Sequence, residues 1–430
     1  MGILGESGNG IQLTLLEKGL PETGDYPRSV ATTWLLNFEA VAQRSPASIP
    51  ILQLSAVLAA DNILEQLLLD CAEEYGLVDC TDELALAEQL AALADFSLIQ
   101  REQETASYSI HRMVQAVVWQ QLTETERQRW LQRAIAGLKT VFPDVSKFEN
   151  WAVGGQLAPH VQAIALRPEA AELITLEWAW LLNSTGYYLR DQGRYTEAEP
   201  LVERSLEIDE QQLGADHLDT AIKLNNLAVL YKSMGRYSEA EPLYERSLHI
   251  CEQHLGADHP DTAIRLNNLA VLYESMERYS KAEPLYVRSL QIREQQLGAD
   301  HPDTAQSLNN LALLYHAMGR YREAELLYEL SLQIREQQLG ANHPDTAQSL
   351  NNLAGLYESM GRYSEVEPLY LKALAILLQR LGKAHPNTQT GWQNFCDFIQ
   401  QVIQAGQTAQ LSDDPVTQAV LQQMEEESRE

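Results

Sequence analysis

Five histidines recur at a fixed interval of 42 residues: His217, His259, His301, His343 and His385. Imidazoles in series could ligate a metal, but the spacing argues against it. Copies on successive structural units lie at least one helix-packing distance apart, roughly 8–10 Å. Zinc needs its ligands about 2 Å from one centre. The histidines therefore read as residues that structure a recurring loop. No Ser–His–Asp order, G-x-S-x-G elbow or Cys/His nucleophile pattern is visible. Cys71, Cys80, Cys251 and Cys396 have neither metal nor disulfide-framework spacing, as expected in a reducing cytosol. A nucleotide-hydrolysing site would need G-x-x-x-x-G-K-[ST], whose backbone N–H groups cradle phosphates. GESGNGIQ (5–12) has the glycines but no Lys-Ser/Thr pair, and LGKAHP (381–386) has the lysine but no glycine loop before it. The sequence gives no positive sign of catalysis, and no cofactor or metal is expected.

A different chemistry is available to an array of amides. Asn183, Asn225, Asn267, Asn309 and Asn351 recur with the same period. Each sits in a stripe of positions one and two helical turns apart. The stripe reads Trp180, Asn183, Tyr187, Arg190, and then Ile222, Asn225, Val229, Lys232. It continues as Ile264, Asn267, Val271, Glu274; as Gln306, Asn309, Leu313, His316; and as Gln348, Asn351, Gly355, Glu358. The asparagine is constant while its neighbours vary. On a concave face, such amides can bond the N–H and C=O groups of a peptide whatever its sequence, and the variable neighbours would then supply selectivity. The Trp180/Tyr187 end is aromatic with Arg190, and the Glu274/Glu358 end is acidic, so one ligand could span an apolar anchor and a basic stretch. The adjacent column Asn226, Asn268, Asn310 and Asn352 lies nearer the core and is expected to bridge helices.

These residues must be positioned by a stacked array, since a period of 20–50 residues marks repeats rather than a single globular core. In one copy, Leu224, Leu227, Ala228 and Tyr231 form the apolar face of a first helix. Gly235 ends it. Ser238 with Glu241 reads as a capping box opening a second helix, as do Thr196/Glu199, Ser280/Glu283 and Ser364/Glu367. Ala240, Leu243, Tyr244, Leu248 and Ile250 face inward, Gly256 suits the helix end, and Pro260 suits the next first turn. This grammar resembles the tetratricopeptide repeat. The wording LNNLA…GRY.EAEPLYERSL…LG.DHPDTA over about 170–404 resembles the kinesin-light-chain type. That resemblance implies that the first asparagine column holds extended cargo peptides. The expected fold is all-α: a right-handed repeat superhelix with five helix pairs over 169–386 and a closing helix at 387–404. In that helix Trp392, Phe395, Phe398 and Ile399 take the apolar side. An acidic polar tail follows at 405–430, with a short helix within 416–424.

Residues 28–142 carry no repeat. Helices are expected at 30–44, 47–59, 63–75 and 83–96, a β-hairpin at 97–102 and 107–110, and helices at 111–122 and 124–141. That order suggests a winged helix, with a leader at 1–27 and a helical linker at 143–168. RSVATTWLLNFEAV (28–41), LQLSAVLA (52–59), LAALADFSLIQRE (90–102) and YSIHRMVQAVV (108–118) resemble the winged-helix part of NB-ARC-type signal-transduction ATPases, the STAND class. The resemblance implies that His111 stands where that family senses nucleotide phosphate, within a Met-His-Asp triplet. Ile110 and Arg112 replace the Met and Asp, and helix-start capping is the alternative role.

Sixty acidic against 31 basic residues give a net charge of −29, which disfavours a nucleic-acid partner. The start MGILGESGNGIQ lacks a secretory pattern, and no apolar run approaches the roughly 20 residues of a membrane span. A cytoplasmic scaffold or sensor is therefore expected. It would bind a protein or peptide in its groove and form the C-terminal part of a STAND-type regulator, with an ATPase domain as partner in cis or trans. A free-standing light-chain-like adaptor is one alternative. A DNA-binding winged helix is another, weakened because the helix at 111–122 offers only Arg112 as a fixed positive charge.

Overall fold

The computed structural model describes residues 28–80 and 82–427. The leader at 1–27, with GESGNGIQ, lies outside them. Described residues up to Ala215 form one compact unit, and those from Asp216 onward form a second.

In the first unit, helices α1 (Arg28–Arg44), α2 (Ile49–Ser55), α3 (Glu65–Asp70), α4 (Ala72–Tyr75) and α5 (Glu83–Asp95) accompany a small sheet. Its strands are β1 (Ile63–Leu64), β2 (Ile99–Glu102) and β3 (Ser107–Ile110), in antiparallel order β1-β3-β2. Ile99 faces Ile110 and Glu102 faces Ser107, so the hairpin lies where the alternation put it. The stretch 63–75 is not one helix. Ile63 and Leu64 pair with Tyr108 and Ser107 first, and the helix then breaks at Cys71. The stretch 47–59 shortens to α2, because Ser55 and its neighbours turn to meet the sheet: Ser55 Oγ bonds Tyr108 Oη at 2.8 Å. Leu52, Leu54, Leu90, Leu93, Ile110 and Val114 make the core, with α6 (Arg112–Gln121) and α7 (Glu124–Val141) after the hairpin. This is the winged-helix-like arrangement.

The stretch read as a linker contains α8 (Trp151–Ala165), which is part of this unit rather than a tether. Its His160 accepts a hydrogen bond at Nδ1 from the Ala59 N–H at 3.1 Å. The first helix pair, α9 (Leu176–Asp191) and α10 (Tyr195–Gln212), completes the unit.

The second unit stacks four further pairs: α11 (Leu218–Ser233) with α12 (Tyr237–Leu255), α13 (Pro260–Ser275) with α14 (Tyr279–Leu297), α15 (Pro302–Ala317) with α16 (Tyr321–Gln338), and α17 (Pro344–Ser359) with α18 (Tyr363–Leu381). Then come α19 (Pro386–Gln404) and α20 (Pro415–Glu427). Within each of the first three pairs, a second-helix serine crosses to a first-helix carbonyl: Ser247 to Ala221 at 2.6 Å, Ser289 to Ala263 and Ser331 to Ala305 at 2.8 Å. Buried Ala228, Ala240, Ala270, Ala282, Ala312 and Ala324 let the backbones approach. The fold is all-α, a tetratricopeptide-type repeat array with one small sheet in the first unit.

The expected capping boxes are absent. Each of these second helices begins two residues earlier, at Tyr195, Tyr237, Tyr279 and Tyr363, after an arginine whose side chain does not cap. Ser238 therefore lies inside the helix, and Glu241 is used elsewhere. It binds Arg278 of the following pair at 2.7 Å, and that guanidinium lies over the Tyr273 ring. Glu283 with Arg320 and Glu325 with Arg362 repeat the joint. The Thr123/Glu126 pair does form a capping box, at the start of α7.

Within the stretch read as an acidic polar tail, the described residues 405–427 fold back onto the repeats. Helix α20 runs on to Glu427 and packs Val420 into a core with Phe395, Phe398, Ile399 and Val402. Trp392 departs from its expected place. It is 42% exposed and lines an apolar cleft with Leu378 and Val416.

Gly235, Gly319 and Gly361 turn between paired helices at φ +72° to +74°. In the third repeat Glu277 stands there at φ +56°. A side chain in left-handed backbone costs free energy that glycine avoids, and at the equivalent Gly235 nothing lies within 4 Å of a Cβ position. Glu277→Gly is expected to stabilise the second unit by about 0.5–1 kcal/mol, read as a raised urea midpoint at unchanged slope. A fall in midpoint would show that the Glu277 side chain contributes more than its backbone costs.

Candidate functional site

The site begins at the periodic histidines. His217 Nδ1 accepts from the Asp219 N–H at 3.1 Å and thereby caps α11. His259, His301, His343 and His385 do the same for α13, α15, α17 and α19 at 3.1–3.2 Å. A ring nitrogen that accepts here satisfies one of the donors a helix start leaves orphaned. The loop is closed by Thr262, Thr304 and Thr346, whose hydroxyls donate to the Gly256, Gly298 and Gly340 carbonyls at 2.8–2.9 Å. The histidines structure loops, and each sets the start and rotation of a first helix. His111 makes the same cap on α6, accepting from the Met113 N–H at 3.2 Å. Burial of His385 pulls its pKa below the usual imidazole range, favouring the neutral, accepting form.

Helices so fixed carry the two asparagine columns. Sequence spacing reserved the bridging role for the second column; in the structure both columns share it. Asn268 Nδ2 donates to Asn225 Oδ1, Asn310 to Asn267 and Asn352 to Asn309, at 2.8–2.9 Å between successive repeats. Asn225, Asn309 and Asn351 are buried, and Asn267 is half-buried.

The direction of the ladder follows from chemistry. Arg335 is a donor only; its guanidinium bonds Gln306 Oε1, so the Gln306 amide must turn Nε2 toward Asn310 Oδ1, at 2.7 Å. Asn310 must then donate to Asn267 Oδ1. This leaves Asn267 Nδ2 as the unused end. The Nδ2 groups of Asn225 and Asn309 likewise have no partner among the described residues, and Asn351 has no bond at either end, its Oδ1 being buried. The array therefore offers donors, and its acceptors are largely consumed.

The stripe around the ladder is open. Ile222, Ile264 and Leu313 are 37–42% exposed, Gln306 and Gln348 are exposed, and Val229, Val271 and Gly355 are half-buried. At its lower edge Lys232, Glu274, His316 and Glu358 are half-buried. Tyr286 Oη donates to Glu274 at 2.6 Å and Tyr370 Oη to Glu358 at 3.2 Å. Burial pushes both carboxyls above the usual range, while Lys232 draws Glu274 back. His316 Nε2 bonds Ser359 Oγ at 2.8 Å. The tyrosines behind the stripe were not singled out in the sequence, where they read only as inward apolar positions.

In the first unit, Trp180 does not stand as an open anchor. The Lys139 ammonium lies over its ring at 3.4 Å, and Phe142 packs edge-on at 6.2 Å. Arg190 lies over Tyr187 at 4.0 Å and pairs with Asp191 at 2.6 Å. Asn183 is half-buried. No group of residues placed to hold a metal, and no helix long and apolar enough to cross a membrane, occurs among the described residues.

Comparison with known proteins extends the picture. The tetratricopeptide repeat family matches residues 179–253, 219–295, 267–337 and 327–379. Residues 39–127 match a domain of unknown function, DUF7779. A nucleotide-binding leucine-rich repeat (NLR)-like protein of Hyaloscypha variabilis is 35% identical over 214 residues, which is 48% of this chain and 20% of that protein. The chain thus spans a fifth of that relative's length. A putative kinesin light chain of Podosopora anserina with nearly identical TPR-like repeats is similar at 25% identity and TM-score 0.42, over 49% of this chain and 99% of that one. BtubC (BKLC) from P. vanneervenii is similar at 23% identity and TM-score 0.42, over 60% and 94%. The histidine caps, alanine contacts and helix pairs together with the family match place residues 179–379 in the tetratricopeptide repeat family.

Proposed function

We propose that the repeats form a non-enzymatic recognition surface that holds an extended peptide or a protein segment against the first asparagine column. The observation that carries this reading is the row of Nδ2 donors on an open stripe, at Asn225, Asn267 and Asn309, with their Oδ1 atoms tied into the ladder. Such donors suit backbone carbonyls, which every peptide offers at regular intervals. The ligand would be read mainly through its acceptors, since the protein's own amide oxygens are occupied. We place the array in the C-terminal sensor part of a STAND-type signalling regulator in the cytoplasm, with an ATPase domain in cis or trans as its switch. The nucleotide-binding NLR-like name of the relative that shares 214 residues supports this, as does the winged-helix-like unit ahead of the repeats.

The test is a pull-down from host lysate with the full chain and with an Asn225→Ala, Asn267→Ala, Asn309→Ala variant, first matched for helicity by circular dichroism. A partner held by the parent and released at least about tenfold more readily by the variant is the expected result. Partners retained equally would move recognition off this column.

A further inference from the structure

We propose that the groove selects a cationic segment, with two Lys or Arg side chains of one extended ligand seated at Glu274 and Glu358; this rests on the groove reading given above.

The second unit neutralises most of its interhelical carboxylates itself. Glu241 has Arg278, Glu283 has Arg320, Glu252 has Arg288 and Glu336 has Lys372, at 2.7–2.9 Å. Glu274 and Glu358 are left out. They are half-buried on the stripe, each held in place by a tyrosine hydroxyl, and neither has a cation within ion-pairing distance among the described residues. Desolvated carboxylates without a counter-charge are costly. Burial accordingly pushes both carboxyls up, and near Glu358 the charge of Asp397 adds to that effect. The charge of Lys232 draws Glu274 part of the way back. A ligand ammonium or guanidinium would supply what the fold withholds, and the net charge of −29 would draw such a ligand in.

The repeat between the two carboxylates carries an independent sign of a missing partner. Tyr328 occupies in the fourth repeat the place that Tyr286 and Tyr370 hold in the third and fifth. It is fully buried, and its hydroxyl has no hydrogen-bond partner. His316 replaces glutamate in front of it, and that ring is engaged by Ser359. Burial holds the Tyr328 hydroxyl above its usual range, and the charge of Glu274 adds to that. A ligand carbonyl that displaced His316 from in front of it would satisfy it. The cation seats are thus two repeats apart, with His316 of the fourth repeat between them. First helices of neighbouring repeats separated by roughly 10 Å put the seats about 20 Å apart, which an extended chain covers in roughly six residues.

The experiment is selection from a phage-displayed library of randomised peptides on the full chain. Winners are then titrated against the parent, a Glu274→Gln, Glu358→Gln variant and the triple asparagine variant. Winners are expected to carry two Lys or Arg residues about six apart. The glutamine variant should bind them about tenfold more weakly, the loss expected for removing partly buried charge pairs. Glu274→Lys should move selection toward an acidic residue at one of the two positions. Winners that depend on the asparagines but are neutral, or unaffected by the glutamine changes, overturn the cation seats and leave the groove reading standing. Winners indifferent to the asparagines, or no winners at all, overturn both.

Discussion

Glu367→Ala is expected to unlatch the C-terminal helix and lower the stability of the second unit by about 3 kcal/mol. The Glu367 side chain is nearly fully buried on α18. Its carboxylate accepts from the Ser412 N–H at 2.7 Å and from the Ser412 and Thr417 hydroxyls at 2.6 Å each. Bonds to a charged acceptor contribute about 1.5–3 kcal/mol apiece in favourable cases, but the total is capped by what docking α20 is worth, because an undocked helix returns Ser412 and Thr417 to water. The docked helix contributes burial of Val420 and contacts from Leu421 and Met424 to the Phe395, Phe398 and Val402 core. Urea denaturation gives the magnitude, and hydrogen exchange over 415–427 gives the location. Faster exchange confined to that segment and its neighbours is expected. Unchanged protection there would show that the latch is not what holds α20. Glu367→Gln keeps one strong acceptor and should fall between parent and alanine.

That helix also shows where sequence reading stops. The fixed period and the two apolar faces made the repeats legible, because 42-residue copies of one phrase must stack in one way. His385 belonged to the same phrase, and the helix it caps begins at Pro386 like its predecessors. The following helix was read as a short one within 416–424, and its docking was missed because its anchors are long-range. Glu367 had been assigned to a local capping box with Ser364, and its real partners lie 45 and 50 residues away. The same error placed Glu241 beside Ser238, when its partner is Arg278. Spacing of three residues is a local signal, and between stacked repeats a glutamate can be better satisfied by the next copy's arginine.

The asparagine columns were half legible. Constancy across five internal copies marked them, and the alternatives of ligand contact and helix bridging were both visible in the spacing. What the spacing could not give was the polarity of the ladder. That depends on Arg335, a side chain from the second helix of the same pair as Gln306, whose period-mates are Arg293 and Leu377. Its guanidinium orients Gln306, then Asn310, then Asn267, so a buried cation decides which end of an amide faces the groove. The same limit applies to Trp180. As a letter in a stripe it read as an open aromatic anchor, but Lys139 and Phe142 from α7 and its end already cover it. An anchor read from one helix is reliable only where no other element packs on that face.

Acidification is expected to destabilise the first unit by about 3 kcal/mol, and the cause lies in one histidine. His160 is almost wholly buried in α8. Its Nδ1 accepts from the Ala59 N–H, and its Nε2 has no partner. Charging this ring would break the accepted bond and place a cation where no carboxylate stands to receive it, so burial pulls its pKa from 6.5 down to about 4. The unfolded chain takes up the proton first, near the ordinary value, and the folded chain only near the depressed one. Stability is therefore complete above about pH 6.5, declines as the pH falls toward 4, and levels off below that. A gap of that size corresponds to about 3 kcal/mol. Six of the seven tryptophans, Trp34, Trp119, Trp130, Trp151, Trp178 and Trp180, lie in the first unit, so urea unfolding followed by tryptophan fluorescence reports mainly on it. Carboxylates elsewhere also titrate in this range, and the His160→Gln variant separates them. Glutamine can still accept from Ala59 but does not titrate, so its stability should fall by about 3 kcal/mol less than the parent's between pH 7 and pH 4. Equal losses in parent and variant would mean that His160 relaxes to water on charging, and that the Ala59 contact does not hold α8 in place.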